Sequence, residues 1–231
     1  MVGDNSESNF ELNFYKKFTN KNSIIFDVGA RDSTIPYLNE ESIYHLFEPI
    51  KYNFYKLIEH YKDRKNVNIY NLGLSDKIET VNIYVESESI YKRNGYNYVW
   101  DRVNPTRVAN GDTEVINCDT LENFIKKNNI KKIDLLKVDV EGYEYNVIKG
   151  LYSYLDIVNC FVFEYSIHTY NDSGKDLLTL LDLFNNHKFF IIENNKIGYK
   201  ELPNNKNDIY NLLKNNHNCN IVVTKNGQHI F

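Results

Sequence analysis

Residues 133–150, IDLLKVDVEGYEYNVIKG, constrain the fold more than any other stretch of this chain. IDLLKV is a short apolar run suited to a strand buried on both faces of a parallel sheet. Asp139 and Glu141 follow it, where such a strand empties into the crevice at the carboxyl edge of an open α/β sheet. From Gly142 onward, GYEYNVIKGLYSYL carries apolar residues at helical spacing. The two carboxylates can serve proton transfer, a metal or a hydroxylated ligand. Equally, they can stabilise the N-terminus of the following helix, a contribution of only a few tenths to about 1 kcal/mol. This segment alone does not choose between those roles.

A second strand end does. SIIFDVGARDST, from Ser23, is an apolar strand followed by Asp27, Gly29 and a polar turn, and SIYHLFEP is a further strand that ends in Glu48 and Pro49. A small-residue turn lets a ligand approach the backbone closely, and an acid at the next strand's end can accept both hydroxyl protons of a ribose diol. That arrangement serves nucleotide-like ligands in general. Asp27 argues against NAD, because a carboxylate in the turn repels a pyrophosphate, and the G-x-G-x-x-G fingerprint is absent. A cationic ligand with an amino group and a sulfonium, such as S-adenosylmethionine, tolerates that acid.

Six blocks in order, FDVGARDST, HLFEP, NLGLSD, CDTLENFI, DLLKVDVEGYEYNVIKG and FVFEYS, spanning about Ile24 to Ser166, resemble the FkbM family of S-adenosylmethionine-dependent methyltransferases. The resemblance implies a class I methyltransferase fold, Rossmann-like, with a seven-stranded, mostly parallel sheet, one antiparallel strand and an inserted strand and loop region. It implies methyl transfer to an oxygen, usually of a sugar or polyketide-like acceptor. It also implies that Asp27, Gly29, Ala30, Arg31 and Ser33, then Glu48 and Pro49, then Leu74 and Ser75, lie around the cofactor. The family pattern commonly continues DVGA with Asn, a variable residue and Gly; this chain has Arg31, Asp32 and Ser33 instead. Loss of that glycine removes backbone freedom where the turn meets the ligand.

A chain of 231 residues can bury a full core as one methyltransferase domain, residues 1–231, with residues 1–22 as a helical extension. A net charge of −4 gives no general attraction to nucleic acid. No apolar run approaches the roughly 20 residues of a membrane helix, and the polar start MVGDNSESN reads as no signal peptide. Cys118, Cys160 and Cys219 are odd in number, lack metal spacing and point to a reducing, cytoplasmic compartment. Along the chain, an amphipathic helix near Phe10 to Phe18 precedes the first strand. The runs YNFYKLIEHYKD, LENFIKKNN, DLLTLLDLFNNHK and IYNLLKNN read as helices. VNIYNLGLS, TVNIYV, EVINCDTL, NCFVFEYSI, KFFIIENN and CNIVVTKN read as strands.

Residues 86–112 form the longest irregular segment and carry Tyr91, Arg93, Tyr96, Tyr98, Trp100, Arg102 and Arg107. Aromatics interleaved with arginines can stack on a sugar and bond its hydroxyls or a phosphate; they can also stack RNA bases, or simply close over the core. Tyr96, Tyr98, Trp100 and Arg102 are the expected acceptor wall. An attacking hydroxyl must lose its proton, and Asp139, Glu141, Glu164 and His168 are the candidates to receive it. Asp139 with Glu141 or Glu164 can alternatively hold Mg²⁺. Glu144 and Lys149 read as a solvated helix face. Lys137 is expected to pair with a carboxylate near its strand end, and Asp119 to cap the following helix or contact the strand end. His45, His60, His187, His217 and His229 show no ligand pattern. The expectation is an O-methyltransferase acting on a sugar, glycan or glycoconjugate. The alternatives are a catalytically silent protein of the same fold that binds a glycan or partner, and an RNA ribose methyltransferase.

Overall fold

The computed structural model describes residues 13–85, 101–102, 112–166, 177–193, 199–214 and 219–225. In chain order the strands are β1 (Ile24–Val28), β2 (Ile43–Phe47), β3 (Val67–Tyr70), β4 (Gly73–Leu74), β5 (Glu79–Val85) and β6 (Asp101–Arg102). They continue as β7 (Asp112–Asp119), β8 (Leu135–Val138), β9 (Cys160–Tyr165), β10 (His187–Glu193), β11 (Tyr199–Glu201) and β12 (Cys219–Lys225). The helices are α1 (Lys51–Tyr61), α2 (Leu121–Asn128), α3 (Glu144–Lys149), α4 (Leu177–Leu181) and α5 (Lys206–Leu213).

Among the described residues the main sheet has eight strands in the order β11-β10-β12-β9-β8-β1-β2-β3. Strands β3, β2, β1, β8 and β9 are parallel neighbours. Strand β12 runs antiparallel between β9 and β10. The class is the one expected; the eighth strand arises because the chain after β10 folds back, pairing Ile192 with Tyr199 and Phe190 with Glu201. From β1 the chain crosses to β2 on one side, and it later returns as β8 on the other. That reversal opens the crevice in which α/β sheets bind ligands.

Strand alternation sorts the core. Ile25, Leu135, Cys160 and Val162 face one cluster with Phe14, Tyr15, Leu57 and Tyr61. Phe26, Leu136, Phe161 and Phe163 face the other, which takes side chains from α2, α3, α4 and α5. Period-two alternation with both faces apolar is why these strands read as continuous hydrophobic runs. Phe14 and Tyr15 belong to a helical turn over residues 13–16, within the expected N-terminal helix; residues 10–12 of that helix lie outside the described residues.

The inserted strands form a second sheet, β4-β7-β5-β6 among the described residues. β5 and β7 pair antiparallel from Glu79↔Cys118 to Val85↔Asp112. The expected single strand VNIYNLGLS is divided: β3 stays in the main sheet, while β4 joins the second. Gly73 allows the transfer, since a Cβ there would lie 2.7 Å from Cys118 Sγ. The helix expected across GYEYNVIKGLYSYL is shorter than its pattern. It stops at Lys149 and continues as a 3-10 turn over Tyr152–Ile157. Gly150 packs so tightly that a Cβ would sit 2.1 Å from the Ser75 carbonyl oxygen.

Candidate active site

Four strand ends build one cavity. After β1, the amides of Gly29 and Ala30 both donate to the Phe47 carbonyl, at 3.0 and 3.1 Å, which lashes the turn to the end of β2. Gly29 has φ +81°, and a Cβ would fall 1.8 Å from the Asp139 carbonyl oxygen. No other residue type can bring this turn so close to the end of β8. Glu48, 2% exposed, accepts the Arg31 amide on Oε2 at 2.9 Å and the Ile50 amide on Oε1 at 2.8 Å. Those two bonds hold its carboxylate on the cavity wall.

Across the cavity stand Lys137, Asp139, Val140, Glu141 and Tyr143 from β8 and its exit, with Glu164 from β9. Lys137 Nζ lies 3.1 Å from Asp139 Oδ2. Burial pushes the Asp139 carboxyl up, but Lys137 and Arg31 outweigh it, and a side-chain hydrogen bond with Glu164 adds to them. Asp139 therefore ionises below the usual carboxylate range. The remaining wall is apolar: Leu72 before β4, Leu74 within it, Val81 and Ile83 from β5, and Ile116 from β7, with Cys118 among them. The cavity wall thus combines an ionic part with an apolar one.

The loop bearing Asp139 is held from behind. Glu144 is 1% exposed, and its Oε1 accepts the amides of Val140 and Gly142 at 3.1 and 3.2 Å. Burial pushes its carboxyl up to about 7. The solvated-face reading of Glu144 is therefore wrong. Its carboxylate turns back to meet the amides exposed by the bend at Glu141 (φ +55°) and Gly142 (φ +98°). Lys149 is an exposed partner of Asp76, at 2.7 Å.

Of the expected cofactor residues, Gly29, Ala30, Arg31, Ser33, Glu48, Pro49 and Leu74 line the cavity. Asp27 and Ser75 stand behind its wall, both fully buried; Ser75 donates to Glu79 Oε1 at 2.8 Å. Of the expected catalytic group, Asp139, Glu141 and Glu164 line it. His168, Tyr96, Tyr98 and Trp100 lie outside the described residues, and Arg102 is described only as part of β6. Asp119 makes strand-end contacts, accepting the Thr120 amide at 2.8 Å, while Thr120 caps α2. The apolar wall from β5 and β7 had no sequence signal, because it forms only when the second sheet folds against the first.

Residues 27–221 match the Methyltransferase FkbM domain. The chain belongs to the FkbM methyltransferase family. The fold agrees with that of a putative methyltransferase from Streptococcus mutans in complex with SAH, at 13% identity and TM-score 0.51, over 97% of this chain and 99% of that one. An rRNA methylase from Streptococcus thermophilus is similar at 11% identity and TM-score 0.50, over 97% and 98%. The FkbM methyltransferase of Methylobacillus flagellatus KT shares 12% identity at TM-score 0.48 over 87% of this chain, which spans 43% of that protein's length. No protein of curated function matches this sequence. Among the described residues, no group of three His, Cys, Asp or Glu side chains is placed to hold a metal ion. No described helix is long and apolar enough to cross a membrane. The S-adenosylmethionine-dependent methyltransferase family and fold are thus those of this FkbM chain.

Proposed function

We propose that this chain transfers a methyl group from S-adenosylmethionine to a hydroxyl oxygen of a sugar, glycan or glycoconjugate. The observation that carries the reading is the cavity wall: Glu48, fixed by two backbone amides, at one strand end, and Asp139 with Lys137 at another. The residues fit the cofactor. Glu48 suits the ribose diol, the turn Gly29–Arg31 with Ser33 suits the amino-acid portion, and Leu72, Leu74, Ile83 and Ile116 suit the adenine face. Pro49 completes the wall beside Glu48.

The cofactor supplies a methyl group on a sulfonium, already activated toward displacement. The chain's task is alignment and proton removal. Asp139, held by Lys137, would take the acceptor hydroxyl proton on a carboxylate oxygen as the methyl group is transferred. Asp139 is ionised and 37% exposed in its side chain, so it can receive that proton. Lys137 already places positive charge on Asp139 without a metal. Activity is expected to be indifferent to EDTA; loss restored by Mg²⁺ would reassign Asp139 and Glu164 to a metal.

Transfer of labelled methyl to free sugars, glycans and capped RNA tests the acceptor class, with labelling of a neutral sugar or glycan expected. Labelling of capped RNA alone would replace this reading with ribose methylation. Failure to bind SAH in calorimetry would favour a silent binding protein. For the acceptor wall we assign Tyr96, Tyr98, Trp100 and Arg102. Trp100→Ala should raise the acceptor KM up to about tenfold, given stacking worth about 0.5–1.5 kcal/mol, and leave SAH affinity unchanged. Arg102→Ala should matter more for an acidic acceptor than for a neutral one. Loss of SAH binding in both variants would make the segment core cover.

A further inference from the structure

Four ionisable side chains share one face at the carboxyl edge of the main sheet. Ile25 and Leu135 face the same core cluster, so two residues further on Asp27 and Lys137 face that way too. Asp27 and Lys137 are also register partners across β1 and β8. Asp139 and Glu164 follow Lys137 and Val162 in the same alternation, and Lys137 and Val162 are partners across β8 and β9. The contacts agree: Lys137 Nζ lies 3.5 Å from Asp27 Oδ1 and 3.1 Å from Asp139 Oδ2.

Asp27 and Asp139 differ sharply in setting. Asp27 is 0% exposed and stands outside the cavity wall, and among the described residues neither of its carboxylate oxygens has a hydrogen-bond partner. A carboxylate buried in that way is strongly unfavourable unless a cation faces it. Among the described residues the cation that does so is Lys137. Asp139 stands on the cavity wall with its side chain 37% exposed.

We propose that Asp27, Lys137 and Asp139 act as one unit, in which buried Asp27 anchors Lys137 and Lys137 fixes the place and charge of the Asp139 carboxylate. Asp27 then serves the acceptor side of the reaction through Lys137 rather than by touching the cofactor, and Lys137 is a positioning residue. The use made of Asp139 rests on the methyl-transfer reading; the ionic unit does not. The depressed ionisation of Asp139, with Lys137 its leading favourable partner, agrees with the geometry.

The test is ¹³C NMR titration of aspartate-labelled full-length protein, with Asp139→Asn used to assign the resonance, alongside thermal unfolding. In Lys137→Met the Asp139 midpoint should rise toward the ordinary carboxylate range, and Lys137→Arg should keep it low. Lys137→Met should lower Tm by stranding Asp27, and adding Asp27→Asn should recover much of that loss while leaving the Asp139 midpoint raised. If Lys137→Met fails to fold, the double variant carries both measurements. An unchanged Asp139 midpoint, or a double variant no more stable than Lys137→Met, would overturn the unit. SAH calorimetry on the unmodified chain reads the other question separately. Absent binding there would remove the methyl-transfer reading and leave the titration result standing.

Discussion

Glu48 has a structural and a ligand-facing task at once, because one amide that holds it, that of Arg31, comes from the turn after β1, and the other, that of Ile50, from its own strand exit. Glu48→Ala removes acceptors whose bonds to a charged group are worth about 1.5–3 kcal/mol each. SAH affinity should therefore fall roughly ten- to hundredfold, with a lower Tm from the two orphaned amides; unchanged affinity in a folded variant would take Glu48 out of the site. Asp139→Asn should leave SAH affinity largely intact, since the cofactor is assigned to Glu48 and the turn Gly29–Arg31, and cut turnover by about 10²-fold or more. An active Asn variant would send the search to Glu164 and His168. Asp139 is depressed by its cationic neighbours. Its ionised form, and the stability that goes with it, persists above the ordinary carboxylate range and is lost only as the pH falls through its lowered value. The Asp139 limb of the pH–rate profile should accordingly lie on the acid side of that range.

Two elements meet backbone to backbone at Gly29, and the whole turn depends on that contact. Gly29→Ala places a Cβ 1.8 Å from the Asp139 carbonyl at φ +81°, so the turn must leave β8. Stability should drop by more than the roughly 1–3 kcal/mol of backbone strain alone, and SAH binding should be lost with it, as unfolding and calorimetry would show. Strand ends, the strands β5 and β7 and the helices were legible from apolar periodicity and turn residues; the pairing of β5 with β7 was not. The division of VNIYNLGLS between two sheets was not, because Gly73 is required by Cys118 of a distant strand. Nor was the early stop of α3, which follows from Gly150 pressing on Ser75. Glu144 shows the same limit. Its position at the start of a helix suggests solvent, yet the bend at Glu141 and Gly142 turns two amides toward it.

Among the described residues, buried Glu144 and His45 titrate in overlapping windows with opposite sign. Burial pushes Glu144 up to about 7 and His45 down to about 4. Stability from Glu144 is fully present below its ordinary value and lost as the pH rises through 7. Stability from His45 is present above its ordinary value of 6.5 and lost as the pH falls toward 4. Each is worth on the order of 3 kcal/mol, so their effects on Tm oppose one another between these limits. Glu144→Gln unmasks His45, and its Tm should climb with pH over the same range; a flat profile in that variant would remove Glu144 from the balance. The sequence by itself determined the class of fold and the strand ends where chemistry collects. Apolar alternation, acids at strand termini and glycines in turns are local patterns that need no partner. Only the tertiary structure decided what those residues face. It set Asp27 behind the wall and Lys137 between two carboxylates, turned Glu144 inward, and laid the apolar wall of the second sheet against the cavity. The strand register and the seating of the second sheet depend on contacts between residues tens to more than a hundred positions apart, and Glu144 depends on a bend of positive φ just before it; local periodicity encodes neither.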